Sequence, residues 1–359
     1  MSRPAEACLD MAALISNLER VRGLAPQSKV MSIIKANAYG HGLVRIALAL
    51  SAETDAFGVA CGEEAWALRM AGIKQPITLL EGFFSEDEFP SIEEHQFTLT
   101  IHHVWQINVL AKAKLKQPLK VWLKVDTGMH RLGLAPELVA EAVEHLQQSG
   151  NVCEIGFMTH FASADDINDA TTEQQLELFQ QALSQLDGVR SSANSAGIVG
   201  WPQSHHEWVR PGIMLYGVSP MLGQQGSEHG LKPVMSLRSR LIAVNYLKKG
   251  DRVGYGGTWK CPEDMPVGVV AMGYGDGYPR HAKEGTPVLV RDQLVPLLGR
   301  VSMDMITVDL RRVVQPRVGD AVTLWGEGLP IELIADASAT IGYELLCGVT
   351  PRVRVTEIA

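Results

Sequence analysis

The sequence predicts an α/β protein: an N-terminal (β/α)8 barrel of the TIM type followed by a C-terminal, mainly-β domain. Three observations lead there. Short apolar runs recur near residues 30–35, 56–61, 77–81, 98–101, 119–125, 154–160, 189–194 and 209–216. Helix-forming segments such as 63–71, 136–148 and 171–186 fill the gaps between them. Eight strands alternating with helices over some 220 residues suit a closed parallel barrel. The competing open, doubly wound sheet would carry Gly-x-Gly-x-x-Gly after its first strand, and that turn is missing here. Finally, the texture changes near Gly230. Helical periodicity fades from Pro233, and β-rich runs at 241–246, 267–272, 286–290, 306–310 and 321–324 are punctuated by Gly, Pro and Asp. The expected division is therefore 1–230 for the barrel and 231–359 for the β domain, with 218–232 as linker.

In chain order, residues 10–24 read as a helix. Asp10 can cap it, and Leu14, Ile15, Leu18 and Val21 repeat at helical spacing. The run from Val30 to Ile34 reads as the first buried barrel strand. No internal repeat or low-complexity tract interrupts the pattern.

Bulk properties narrow the function classes. A hydrophobic content of 46% can bury sizeable cores, which excludes a disordered chain. A formal charge of −8 argues against a nucleic-acid partner. Five cysteines, Cys8, Cys61, Cys153, Cys261 and Cys347, are odd in number, scattered and without Cys-x-x-Cys, which fits reduced thiols rather than disulfides or zinc; no metal site is expected. No stretch reaches the roughly 18 apolar residues of a membrane span, and the N-terminus lacks an apolar signal core. These features point to a cytoplasmic enzyme that neither enters nor crosses membranes.

The chemistry-bearing residues fall where a barrel keeps its reactive groups, at the C-terminal ends of strands. Lys35 ends the first strand, where loss of water favours a neutral, nucleophilic amine. The fifth strand closes on Lys124-Val125-Asp126 and runs on to Arg131, the sixth on Thr159-His160, the seventh on Asn194-Ser195, and Arg210-Pro211-Gly212-Ile213 lies at the eighth. Any one of these alone reads as structural or solvated. Five polar tips on apolar strands do not.

Lys-Ala-Asn-Ala-Tyr-Gly-His-Gly at 35–42 closely resembles the cofactor-lysine segment of alanine racemases, barrel enzymes of fold type III that use pyridoxal 5′-phosphate. Each of the other strand tips also matches a motif of that family, so the resemblance covers essentially the whole chain. It implies that Lys35 binds the cofactor covalently and later acts as an acid/base. Tyr39, Asn194, Ser195, Tyr343 and the backbone amides of Gly212 and Ile213 would bind the cofactor, mostly at its phosphate, for which hydroxyls and free N–H groups are suited. Arg210 would meet the pyridine nitrogen, where many other enzymes using this cofactor place a carboxylate. A guanidinium does not readily give up a proton, so the ring becomes a weaker electron sink and reprotonation at Cα is favoured.

Racemisation needs acid/base groups on both faces of Cα. The resemblance supplies Tyr255, in Gly254-Tyr255-Gly256-Gly257, opposite Lys35, with His160 as its helper, hydrogen-bonded towards Arg210. An ordinary tyrosine titrates at about 10 and needs such help. Arg131 would engage the cofactor's phenolic oxygen and the substrate carboxylate. Lys124, only seven residues before Arg131, matches a lysine that many relatives carry as a carbamate; the alternative is an unmodified lysine paired to Asp126. Met303 would contact the substrate carboxylate through its amide, with Asp304 and Tyr274 near the entrance. The family forms head-to-tail homodimers in which one chain's β domain completes the other's site. The expected activity is interconversion of L- and D-alanine, serving peptidoglycan synthesis or alanine catabolism. An ornithine- or diaminopimelate-type decarboxylase would want an acid at Arg210, and a cofactor-carrier protein would lack the β domain. Broader specificity, such as for serine, stays open because one hydroxyl is weakly discriminated.

Overall fold

The computed structural model describes residues 3–358. Its strands are β1 (Glu6–Asp10), β2 (Lys29–Ile33), β3 (Ala56–Val59), β4 (Ile77–Leu79), β5 (Thr98–Ile101), β6 (Leu119–Lys124), β7 (Val152–Met158), β8 (Arg190–Ser191) and β9 (Trp208–Val209). The C-terminal part adds β10 (Met235–Leu247), β11 (Arg252–Val253), β12 (Trp259–Lys260), β13 (Met265–Val270), β14 (Pro287–Val290), β15 (Gln293–Leu298), β16 (Ile306–Asp309), β17 (Ala321–Trp325) and β18 (Arg354–Ile358). Each of the eight apolar runs read as barrel strands contains or overlaps one of β2–β9.

Those eight form one parallel sheet in the order β8-β7-β6-β5-β4-β3-β2-β9. Its ends are bridged where the Arg210 N–H donates to the Ala193 carbonyl at 2.9 Å and Ser191 Oγ donates to the Trp208 carbonyl at 2.9 Å. Strands β3 and β4 are buried along their whole length, as both faces of a parallel barrel strand must be. Helices cover the outside, among them Gly62–Met70, Val139–Gln148 and Thr171–Ala182, within or close to the segments read as helical. Gly156 is required by packing: a Cβ there would lie 2.8 Å from the Trp122 ring, which meets Trp208 edge-on at 6.1 Å.

The second sheet is a closed antiparallel barrel, β13-β16-β15-β14-β17-β10, with β10 returning to β13. The long strand β10 makes this closure possible: its first half pairs β17 and its second half pairs β13, with a bulge at each partner. β1 pairs antiparallel with β10 and parallel with β18, so the N-terminal segment extends this sheet. The compact units are thus Asn17–Leu215 with Pro220–Gln224, and the remainder: the residues up to Ser16, Tyr216–Ser219 and those from Gln225 onward. They differ from a cut at 230, because the short sequence Glu-Ala-Cys-Leu-Asp carries no periodicity long enough to reveal a strand recruited from more than 200 residues away. The expected helix after it is present as Met11–Leu24, and Asp10 caps it by accepting the Ala13 N–H at 2.8 Å.

Among the described residues no helix is long and apolar enough to cross a membrane. All five cysteines are free thiols.

Candidate active site

At the C-terminal end of β2 the backbone winds against its usual hand. Ala36, Asn37, Ala38 and Tyr39 all have φ between 51° and 54°. A left-handed turn of L-residues crowds each Cβ against a carbonyl and costs about 1–2 kcal/mol per residue. It persists only where surrounding contacts over-determine it. Here they do. The Ala38 N–H donates to the Ile34 carbonyl at 2.8 Å, and Asn37 Oδ1 accepts the Leu43 N–H at 2.9 Å. Buried His41 places Nδ1 3.1 Å from the Ala38 carbonyl and 2.9 Å from that of Tyr39. Carbonyls only accept, so Nδ1 carries the proton; burial pushes this imidazole down to about 4 and keeps it neutral. Finally, Glu64 accepts the Ala36 N–H at 2.7 Å and the Ala60 N–H at 2.9 Å.

This turn begins with half-buried Lys35 and ends with buried Tyr39. The Tyr39 hydroxyl lies against Gly212 so closely that a Cβ on that glycine would sit 2.6 Å from it. Ser195 Oγ accepts the N–H groups of Gly212 at 2.8 Å and Met214 at 3.4 Å, and Asn194 Oδ1 caps the next helix through the Gly197 N–H at 2.9 Å. Ile213 follows, fully buried, at the start of a 3-10 turn. Tyr39, Asn194, Ser195, Gly212 and Ile213 are therefore neighbours, an arrangement of hydroxyls and backbone amides suited to a phosphate.

Arg210 is buried, and its guanidinium is spent on the barrel rim. Nη1 donates to the Ser191 carbonyl at 2.7 Å and to Ser191 Oγ at 2.6 Å; Nη2 donates to the carbonyls of Thr159 and Ser192. Burial pushes its pKa down to about 10, still charged at neutral pH. The expected His160–Arg210 interaction takes another form: Arg210 bonds to carbonyls, and its charge acts on the ring. Burial and the charges of Arg210, Lys124, Arg131 and Lys35 drive the His160 imidazole well below its usual range, so it is neutral.

Lys124, at the end of β6, shares the same crowd of cations. Burial first, then Arg210, Arg131 and Lys35, push its amine down to about 8, while Glu81 pulls the other way. Asp126 is committed elsewhere: it accepts the N–H groups of Gly128 and His130 at 3.0 Å each and pairs with His130 Nδ1 at 3.1 Å. The Lys124–Asp126 pair is thus replaced by this local loop closure. The loop returns on itself through Asp126 N–H to the Leu134 carbonyl and Leu134 N–H to the Lys124 carbonyl, each at 2.8 Å, and carries exposed Arg131 between them. Gly133 permits the return, since its φ is +142° and a Cβ would meet the Asp126 nitrogen at 2.5 Å.

The remaining expected residues lie in the β unit. Tyr255 stands on a turn whose glycines have φ of +71° (Gly254), +75° (Gly256) and +52° (Gly257), and it is 68% exposed. The loops holding Tyr274 and Met303 are joined by Tyr274 N–H to the Ser302 carbonyl at 3.0 Å and Gly275 N–H to the Met303 carbonyl at 2.8 Å. Met303 itself is 52% exposed. Asp304 pairs with Arg352 at 2.6 Å, and Arg3 donates both to its carbonyl and to buried Asp276, at 2.6 Å each. Tyr343 lies in the first turn of the helix Gly342–Cys347.

Comparison with known proteins places the whole chain in a family. The model of the alanine racemase N-terminal domain matches residues 9–220, and that of the C-terminal domain matches 234–357. The chain is 51% identical over 355 residues to an alanine racemase of Halorhodospira halophila, covering 99% of this chain and 98% of that protein. It is 51% identical over 356 residues to the biosynthetic alanine racemase of Escherichia coli O6:H1, covering 99% of each. The crystal structure of the biosynthetic alanine racemase from Pseudomonas aeruginosa superposes with a TM-score of 0.97 at 44% identity, covering 99% of this chain and all of that one. The chain belongs to the alanine racemase family.

Membership makes it an isomerase, and the barrel and β domain are those of alanine racemases. Several residues that brace these loops were not singled out in the sequence. Buried Gln175 accepts the Ala162 N–H at 2.9 Å and donates to the His160 carbonyl at 3.1 Å and to Thr127 Oγ1 at 3.2 Å; Thr127 in turn meets Thr159 at 2.7 Å. One amide therefore ties the chain around His160 to the loop that leads to Arg131. Within Thr-Thr-Glu-Gln-Gln-Leu nothing marks one glutamine as buried and its neighbour as solvated. Glu64 and the Arg3–Asp276–Arg352 group were equally silent, because their partners are backbone amides or side chains far away in sequence.

Proposed function

We propose that this alanine racemase interconverts L- and D-alanine with pyridoxal 5′-phosphate as cofactor, by proton transfer on both faces of the substrate Cα. The observation that carries the reading is the charge imbalance at the barrel rim. Lys35, Arg131 and Arg210 act on Lys124, and all four cations act on His160, while the acid Glu81 offsets them at Lys124. Such a site fits an anionic cofactor and an amino-acid carboxylate. The Tyr39–Ser195–Gly212 cradle, which a single added Cβ would fill, fits the phosphate.

When bound, the cofactor would withdraw electrons from Cα and make its proton acidic. The chain's residues do the rest. Lys35 would hold the cofactor, and its free Nζ would take the Cα proton on one face or return it. Tyr39, Asn194, Ser195, Tyr343 and the amides of Gly212 and Ile213 would hold the phosphate, which would take over the Gly212 N–H that Ser195 Oγ accepts here. Arg210, braced against the rim carbonyls, would meet the pyridine nitrogen as a cation that does not readily give up a proton, which would limit electron withdrawal and favour reprotonation at Cα. Arg131 binds the substrate carboxylate as a fork. Neutral His160 can give one hydrogen bond without adding charge.

The opposite face is served by the partner subunit's Tyr255 in a head-to-tail homodimer, with the partner's Met303 at the substrate carboxylate and the partner's Tyr274 and the partner's Asp304 at the entrance. Exposure supports this: the phenol and the Met303 side chain are not used up within their own unit. A verified monomer is accordingly expected to be inactive. Lys124, held at about 8, has a neutral fraction able to take up carbon dioxide, and as a carbamate it would orient Arg131. The enzyme acts in the cytoplasm, supplying D-alanine for peptidoglycan or opening alanine to catabolism.

The test is circular dichroism of an L-alanine solution with enzyme and cofactor. The signal should decay to zero at constant amino-acid concentration. A persistent signal with the cofactor's visible band intact would point to a carrier instead, and carbon dioxide release from a diamino acid to a decarboxylase. Lys35→Ala is expected to abolish the visible band and the decay together.

A further inference from the structure

A residue outside the expected machinery bonds to the backbone that directly follows Lys35. Ala36 directly follows the lysine and opens the left-handed run, and at the start of any helical turn the N–H groups have no partner inside the turn. The Ala36 N–H is taken at 2.7 Å by Glu64 Oε1, while Oε2 of the same carboxylate takes the Ala60 N–H at 2.9 Å. Ala60 follows β3, and Glu64 lies in the first turn of the helix Gly62–Met70, which starts two residues later. One oxygen therefore fixes the side chain to its own loop, and the other reaches across to the tip of β2. The two strands are direct neighbours, joined just before this point by the Ile34 N–H and the Gly58 carbonyl at 3.0 Å.

We propose that Glu64 is a positioning residue for Lys35, a carboxylate clamp that spans two strand tips and sets the peptide plane from which the lysine departs. This rests on the reading of Lys35 as the cofactor-bearing residue. The clamp needs an acceptor at both oxygens. A glutamine keeps the shape but turns an N–H donor toward one of the two amides, where donor would face donor. An aspartate keeps the charge but is one methylene too short to serve both. Because reacting groups must be held to within about 0.5 Å of productive geometry, release of the Ala36 amide should register at Lys35 before it registers in the fold. Helix-start charge alone does not explain the contact: Glu63, one residue earlier, carries the same charge in the same helical turn and makes neither bond.

The experiment compares Glu64→Gln, Glu64→Asp and Glu63→Gln with the parent holoenzyme. It reads the rate of pyridoxal phosphate loss on dilution, the pH titration of the visible band, and kcat and KM in both directions. Glu64→Gln should lose cofactor about tenfold faster or more and move the titration, with kcat falling more than KM rises. Glu64→Asp should fall between it and the parent, and Glu63→Gln should match the parent within about twofold. Equal behaviour of Glu64→Gln and Glu63→Gln would overturn the clamp. If Glu64→Gln does not fold, an unchanged Glu64→Asp overturns it as well. Borohydride trapping of the parent enzyme followed by peptide mapping keeps the two readings apart: a label elsewhere than Lys35 removes the underlying assignment, whatever the Glu64 variants do.

Discussion

Two turns carry the acid/base groups proposed for opposite faces of the substrate, and they meet positive φ by opposite means. The turn after β2 places Ala, Asn, Ala and Tyr at positive φ and is held there by Glu64, Asn37 and His41. The turn around Tyr255 uses Gly254, Gly256 and Gly257 for its positive φ values, and leaves the phenol in solvent. The first is strained and over-determined, so Lys35 is pre-set within its own barrel. The second is relaxed, because glycine adopts that backbone without steric cost. An exposed phenol on such a turn suits the proposed role of Tyr255 in a partner subunit's site. On the proposed reading, the contrast puts rigidity beside the lysine assigned to the cofactor, and steric freedom at the phenol assigned to the partner's site.

The largest expected effect tests the second turn. Tyr255→Phe should keep the cofactor's visible band and lower kcat about 10²–10⁴-fold, read by the decay of the L-alanine dichroism. Wild-type rates would remove Tyr255 from proton transfer and with it the functional half of the comparison.

Acid should act on the first turn. The His41 imidazole stands at about 4 in the fold against an ordinary 6.5, so as pH falls the unfolded chain binds the proton first. The stability gained from keeping it neutral is present above about 6.5 and is lost as pH falls toward about 4. The loss is on the order of 3 kcal/mol. Denaturant midpoints of the barrel between pH 7 and 4 should show this slope, and His41→Asn should flatten it. An unchanged slope in the variant would place the acid sensitivity elsewhere.

The smallest effect is the most direct comparison. Ala36→Gly removes a Cβ from a left-handed position and should raise stability by up to about 1 kcal/mol. Gly256→Ala adds one at φ +75° and should lower it by about 1 kcal/mol. Both are measured by denaturant melts. Equal signs would mean that the two turns do not differ in how they meet their backbone demand.

Much of this molecule can be read before folding is considered. The barrel strands announce themselves because a parallel barrel buries both faces of each strand, which leaves uninterrupted apolar runs with polar residues at their tips. The strand tips at Lys35, Lys124, His160, Ser195 and Arg210 are therefore legible in position, and the string Lys-Ala-Asn-Ala-Tyr-Gly-His-Gly is specific enough to carry the family. The β domain is less legible. β15 contains Pro296, β18 is a short and largely exposed strand, β1 is five residues without pattern, and the helices Ile331–Ala337 and Gly342–Cys347 are too short to show a period.

The sequence by itself determined the alternation of strands and helices, the residue types at the strand tips and the family. Tertiary structure alone decided that β1 joins the distant β18, that Asp126 serves His130 rather than Lys124, and that Glu64 and Gln175 clamp the loops bearing Lys35 and His160. The reason is physical. Apolar periodicity is a local property written in neighbouring residues, whereas a hydrogen bond to a backbone amide needs no particular residue at the other end and leaves no trace in the sequence there.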